Sequence, residues 1–278
     1  MHPIERLRYV ARADDAGATL VAQEAALALA DLADEPGALV TAVRRLIDFH
    51  PECGPLWWVG AQVLAAESPG LAADLAVARL DEDATSEHLA RDLALHLAGC
   101  TRSDTGSEPP VVVVGGAGEI LCAAFEGLAA PAVVGPSIRV VGSPESLGRE
   151  IYLLGAGGAE VTGWPHYDPD AALDGATACV LEVSAAGAAG VVVPAGVGHL
   201  AASAARMGVP VWAVAGVGRV LPARMFDALV ERLGDSDSEV VPAGSLSHVV
   251  TDAGSGMAGD LLSRSDCPPV PELLRRAR

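Results

Sequence analysis

Beyond Pro110 the sequence alternates short, uninterrupted apolar runs with stretches long enough for one helix, and this alternation constrains the fold more than any other feature. The strand-length runs are VVVVGG (111–116), SIRVVGS (137–143), AEVTGW (159–164), ACVLEVS (178–184), VPVWAVAG (209–216) and SHVVTD (247–252). Between them lie GEILCAAFEGLAA, PESLGREIYLLGAGG and GHLAASAARMG, each able to form one crossover helix. Strands that are apolar throughout are buried on both faces, which implies a parallel sheet with helices above and below. Ligands of such sheets sit outside the carboxyl ends of the strands, here the loops after positions 114, 141, 164, 182 and 215.

Before residue 100 the period is helical. TLVAQEAALALADLA (19–33), GALVTAVRRLIDFH (37–50), LWWVGAQVLAAE (56–67) and SEHLARDLALHLAGC (86–100) repeat apolar residues at three- and four-residue spacing. Pro36, Pro51, Pro55, Pro69 and Gly70 punctuate them as residues that stop helices. The polar, proline-containing TRSDTGSEPP (101–110) reads as a boundary. The expected organisation is a helical N-terminal domain, 1–105, followed by a Rossmann-like α/β domain, 106–278. Trp57 and Trp58 fall about 100° apart on one helix, which suits core packing.

Composition excludes several chemistries. Every basic residue is arginine, so Schiff-base lysine, P-loop lysine and lysine-base mechanisms are absent. A net charge of −18 without a basic stripe argues against nucleic acid. No apolar run approaches the roughly 18 residues of a membrane span, so no membrane association is expected. The opening MHPIERLRYVARADD lacks the order of a secretory signal, and a cytoplasmic location is expected. Cys53, Cys100, Cys122, Cys179 and Cys267 form no C-x-x-C pair, and the seven histidines have no metal-ligand spacing. Neither a metal nor an organic cofactor is expected.

VVVVGGAGEIL (111–121) carries the densest local signal, a buried strand turning through glycines into a helix start. Backbone amides there, with the helix dipole, favour an anion. The dinucleotide fingerprint requires a small residue where Leu121 stands, so a Rossmann cofactor is disfavoured.

In order along the chain, VVVVGGAGEILCAAFEGLAA, RVVGSPESLGRE (139–150), GVVVPAGVGHLAASAARMGVPVWAVAG (190–216), VVTDAG (249–254) and PPVPELL (268–274) resemble one family. It comprises the alpha, beta and delta subunits of eukaryotic initiation factor 2B, methylthioribose-1-phosphate isomerase and ribose-1,5-bisphosphate isomerase. HPECGPLWWVGAQVL (50–64) resembles a helix start in that family's helical N-terminal domain. The resemblance implies a C-terminal sheet of the phosphosugar-isomerase and CoA-transferase type, and a homodimer formed through it. Departures bear on the chemistry. The isomerases' reactive cysteine falls at Gly115 or Gly116, with Cys122 too far along, and the catalytic GAD aspartate is replaced by LEVSAAG, where Glu182 is the nearby carboxylate. The Asn-Lys pair becomes Val193 and Pro194, and the arginine of the SRP turn becomes Ser143 or Gly142.

The candidate site follows from these positions. Glu182 is the candidate for proton transfer or for holding a sugar hydroxyl. Gly115, Gly116, Gly118, Ser143, Gly196, Gly198 and His199 supply loop backbone or polar groups for a ligand, and Arg149 and Arg219 supply guanidinium groups in place of the absent lysine. The loop WPHYDPD (164–170) is an aromatic segment at a strand end, able to close over a ligand or to serve as a surface connection. The expected function is binding of a small phosphorylated metabolite, a sugar phosphate or nucleoside monophosphate, without standard isomerase chemistry. The alternatives are a diverged aldose–ketose isomerase using Glu182, and a non-catalytic regulatory or assembly subunit.

Overall fold

A computed structural model describes residues 5, 10, 17–101, 109–128, 136–156, 158–165, 168–234 and 236–275. Among the described residues from Gly17 to Thr101 there are five helices, α1 (Ala18–Ala30), α2 (Pro36–Phe49), α3 (Gly54–Ala65), α4 (Pro69–Asp81) and α5 (Thr85–Thr101). Pro36, Pro55 and Pro69 sit in the first turn of α2, α3 and α4, where the missing N–H costs nothing. They start helices instead of stopping them. PGLAADLAVARLD, whose first two residues read as helix stops, is therefore a helix, burying Ala73, Ala76 and Leu80.

All six expected strands are present. They are β1 (Val111–Gly115), β2 (Ser137–Gly142), β3 (Val161–Pro165), β4 (Ala176–Glu182), β7 (Val211–Ala215) and β9 (His248–Thr251). Four short strands were not expected: β5 (Ala185–Gly187), β6 (Gly190–Pro194), β8 (Ser238–Pro242) and β10 (Gly254–Gly256). The main sheet has seven strands in the order β10-β9-β7-β4-β1-β2-β3, parallel throughout except for β10 against β9. β5, β6 and β8 form a separate antiparallel sheet of three strands. The order reverses between β4 and β1, and such a switch point leaves a crevice at the carboxyl ends of the two strands.

Alternate residues of the strands feed two cores. Val112, Val114, Val140, Val180, Trp212 and Val250 pack with α5 and with α6 (Glu119–Leu128). Val113, Val141, Cys179, Leu181, Ala213 and Val249 pack on the other face, largely against α9 (Val197–Met207). Remaining helices are α7 (Leu147–Gly155), the short α8 (Pro169–Leu173), α10 (Ala223–Leu233) and the short α11 (Ala258–Leu261). A third core joins α1 to α4 with Ala185, Val192, Leu221, Phe226 and the closing segment around Cys267, Val270 and Leu273. Trp57 and Trp58 are both buried in it, their indole N–H groups donating to the Pro51 carbonyl and the Asp266 carboxylate at 3.0 and 3.1 Å. Residues 102–108, within the expected boundary, lie outside the described residues.

Candidate functional site

Loops at the carboxyl ends of β1 and β4 border a cleft of about 750 Å³ at the switch point. Gly115, Gly116, Gly118, Arg149, Glu182 and Arg219 all line it, so six of the positions singled out in the sequence converge. The close fit of backbone and side chain explains the glycines. A Cβ on Gly115 would stand 2.7 Å from Val197 Cγ1, Gly116 has φ +90°, and a Cβ on Gly118 would overlap the Glu182 carboxylate.

Glu182 occupies the place where an anion is expected. Its Oε2 accepts from the amides of Ile120 and Leu121 at 3.1 and 3.0 Å, at the N-terminus of α6. Its Oε1 accepts from Arg219 Nη1 at 2.9 Å. The Arg219 side chain is 4 % exposed and makes three such bonds, for Nη1 also donates to the Val183 carbonyl at 2.8 Å and Nη2 to Glu119 Oε1 at 3.1 Å. Glu119 in turn accepts from the Thr19 amide at 3.3 Å and from the Thr19 hydroxyl, both in the first turn of α1. A charge-assisted chain thus runs from β4 through Arg219 to α6 and on to α1.

The remaining candidates lie outside this cleft. Ser143 caps the turn into α7, its Oγ accepting from the Ser146 amide at 3.1 Å. Gly196, with φ +90°, is the N-cap of α9 and Gly198 lies in its first turn, but the Gly198 amide donates to Glu239 Oε1 at 2.6 Å. His199 is exposed. The second expected anion seat is therefore also filled by a carboxylate of the chain. In the aromatic loop, His166 and Tyr167 lie outside the described residues; Trp164 lies beneath Arg139, whose guanidinium carbon is 5.7 Å from the ring centroid.

Several lining residues were not anticipated. Glu119, Cys122, Glu126, Glu150 and Ser184 line the cleft, together with Gly17 and Ala18 from the start of α1. Burial pushes the Cys122 thiol up to about 11, assisted by the Glu182 and Glu126 charges, so it is not a thiolate nucleophile at neutral pH. Burial also holds the Glu150 carboxyl above the ordinary range, against the opposing hydrogen bond from Ser146 and the Arg149 charge, and Glu150 Oε2 is buried without a hydrogen-bond partner. Glu119 carries a signal in the sequence, an acid in the first helical turn after a glycine loop. The approach of Gly17 and Ala18 carries none, because the α1 to α6 contact spans 100 residues. Among the described residues no cluster of three or more metal-ligating side chains occurs, and no helix is long and apolar enough to cross a membrane.

Neither family models nor curated protein sequences match this chain. Solved structures do. The translation initiation factor eIF-2B of Pyrococcus horikoshii OT3 superposes with a TM-score of 0.70 over 94% of this chain and 98% of that one, at 16% identity. The chain shares its fold with eIF-2B. The eIF2B beta subunit of Chaetomium thermophilum matches with a TM-score of 0.65 over 97% of this chain and 92% of that chain, at 13% identity. The 5-methylthioribose 1-phosphate isomerase of Pyrococcus horikoshii OT3 matches at 0.58, covering 94% and 87% of the two chains at 15% identity. The α/β architecture expected from the residues, a helical N-terminal region followed by a largely parallel sheet, is the architecture of these proteins.

Proposed function

We propose that this chain is a non-catalytic regulatory protein of the eIF-2B fold, binding a small sugar- or nucleoside-type metabolite in the cleft between β1 and β4. The observation that carries the reading is the engagement of Glu182: both its oxygens are held, by Arg219 and by the α6 amides. Three donors and near-complete burial fix the Glu182 carboxylate as the link between α6 and Arg219, turned to the protein's own groups. Where the isomerases carry their cysteine this chain has Gly115, the last residue of β1, or Gly116 just beyond it, and burial keeps the Cys122 thiol protonated at neutral pH.

The cleft's position at the switch point supports ligand binding, and its fold neighbour acting on 5-methylthioribose 1-phosphate supports a sugar-based class. An oligomer, a homodimer through the sheet region, is part of the proposal, supported by the tetrameric eIF2B-beta2-delta2 complex of C. thermophilum among the fold neighbours. So is a cytoplasmic location, supported by five free cysteines. The test combines incubation with 5-methylthioribose 1-phosphate and ribose 1,5-bisphosphate, expected to give no isomer, with light scattering, expected to give twice the chain mass.

A diverged isomerase is the second reading, and Glu150 favours it, since a carboxyl raised by burial is suited to proton transfer. It predicts turnover that disappears in Glu182→Ala and in Glu150→Gln.

A further inference from the structure

Resting on the cleft as the ligand site, we infer that its ligand is a polyhydroxylated molecule without a phosphate, because Glu182 already occupies the cleft's anion seat and Arg219 is spent on neutralising Glu182. The first seat is the N-terminus of α6, where the amides of Ile120 and Leu121 are within 3.1 Å of Glu182 Oε2. A phosphate bound there requires that carboxylate to leave. Its side chain is 9 % exposed, and the missing Cβ of Gly118 is what lets it lie against the loop. The second seat, at α9 and outside the cleft, is filled in the same way, with the Gly198 amide bonded to Glu239 at 2.6 Å. Both seats retain the backbone geometry that suits an oxyanion, and the chain itself supplies the oxyanion.

The charge balance agrees. With Arg219 and Glu182 offsetting each other, Glu119, Glu126 and Glu150 face, among the described residues of the lining, a single remaining guanidinium, that of the exposed Arg149. A phosphate dianion brought into that lining gains one cation and meets three carboxylates. A hydroxyl reverses the balance, because it donates and carboxylate oxygens accept. Glu150 presents an acceptor for it through Oε1, 3.8 Å from where a Cβ on Gly116 would stand, while its Oε2 is packed against Gly142. A ribose-type ring with two or three hydroxyls answers this set of groups.

Titration calorimetry on the full chain, with D-ribose and adenosine against ribose 5-phosphate, adenosine 5′-monophosphate and inorganic phosphate, tests the inference. Adenosine or ribose is expected to bind at least tenfold more tightly than its phosphate ester, and Glu150→Gln to weaken that binding at least tenfold. Glu182→Ala vacates the α6 amides and frees Arg219, so inorganic phosphate is expected to raise the melting temperature of that variant while leaving the parent unmoved. Glu182→Gln, which keeps the side chain's shape, is expected to narrow the preference against the phosphate esters if the alanine variant does not fold. Phosphate esters binding the parent as tightly as the free sugars would overturn the inference and leave the cleft as a ligand site. Binding by no probe of either class would remove the site reading itself.

Discussion

Glu182 Oε1 lies 2.9 Å from Arg219 Nη1, joining the end of β4 to the loop after β7 inside the crevice that the sheet's switch point creates. The pair is nearly dry, with 9 % and 4 % of the two side chains exposed. It is held by more than mutual attraction. Glu182 also caps α6, and Arg219 also reaches the Val183 carbonyl and Glu119.

Replacing Arg219 with alanine leaves the Glu182 carboxylate buried without its cation. Losing one partner of a buried pair costs about 3–5 kcal/mol, and the two α6 amides still serving Glu182 set the expectation at about 3 kcal/mol. Arg219→Lys is expected to recover less than half, because an ammonium lacks the planar fork that serves Glu182, Val183 and Glu119 together. Urea unfolding at neutral pH gives both values. A loss below 1 kcal/mol in Arg219→Ala would mean that the pair is not the lock described.

Gly118 and Glu182 are coupled sterically. A methyl group on Gly118 would overlap the carboxylate, so Gly118→Ala must push Glu182 off the helix amides. The expected cost is about 2–3 kcal/mol in the parent and under about 1 kcal/mol in a Glu182→Ala background, a coupling in the range of residues in direct contact. A double-mutant cycle in urea measures it, and additive effects would show that the glycine serves the loop backbone alone.

The sheet could be read from the sequence because β1, β4 and β7 are nearly uninterrupted apolar runs, and β2 supplies Ile138, Val140 and Val141 between Pro136 and Gly142. β6 and β8 were lost for a physical reason. Gly190–Pro194 looks like a loop leading into α9, and it becomes a strand by pairing with the three-residue Ala185–Gly187 and with Ser238–Pro242, more than 40 residues on. α10 was legible and passed over, since Met225, Phe226, Leu229 and Leu233 keep helical spacing. In the cleft, the glycine loop, Glu182 and Arg219 could be named, but their mutual capture could not. Which carboxylate fills a helix N-terminus is settled by approaches across 41 to 100 residues, which no local pattern encodes.

Alkali is expected to unfold the chain before its charge alone would suggest. Burial raises the thiols of Cys53, Cys179 and Cys267 from 9.0 to about 12. A folded pKa above the unfolded one gives stability that is complete below about pH 9 and is lost as the pH rises towards 12, because the unfolded chain ionises first. Each such thiol contributes a slope of about 1.4 kcal/mol per pH unit within that window. Cys122, raised to about 11, adds to the same slope, so urea midpoints between pH 8 and 10.5 measure the total of four thiols and Cys179→Ala is expected to remove about one quarter of it. An unchanged slope would place the alkaline transition elsewhere.

α5 belongs to the sheet's core although it lies in the helical part of the sequence, and this determines which fragments fold. Leu89, Leu93 and Leu97 pack against the face formed by Val112, Val114, Ala178 and Val180. His96 lies 5.4 Å from the Trp212 ring and bonds the Thr177 carbonyl at 3.2 Å, while His88 Nδ1 is 3.0 Å from the Thr251 carbonyl. A fragment of residues 106–278 strips this helix and exposes one face of a sheet whose strands are apolar on both sides. A fragment beginning at Asp83 keeps it, together with the Asp83 carboxylate that accepts from the Val217 amide at 2.9 Å. The longer fragment is expected to unfold cooperatively and bind little anilinonaphthalene sulfonate, and the shorter to bind the dye strongly and melt without a transition. Equal behaviour of the two would show that the sheet core closes without α5.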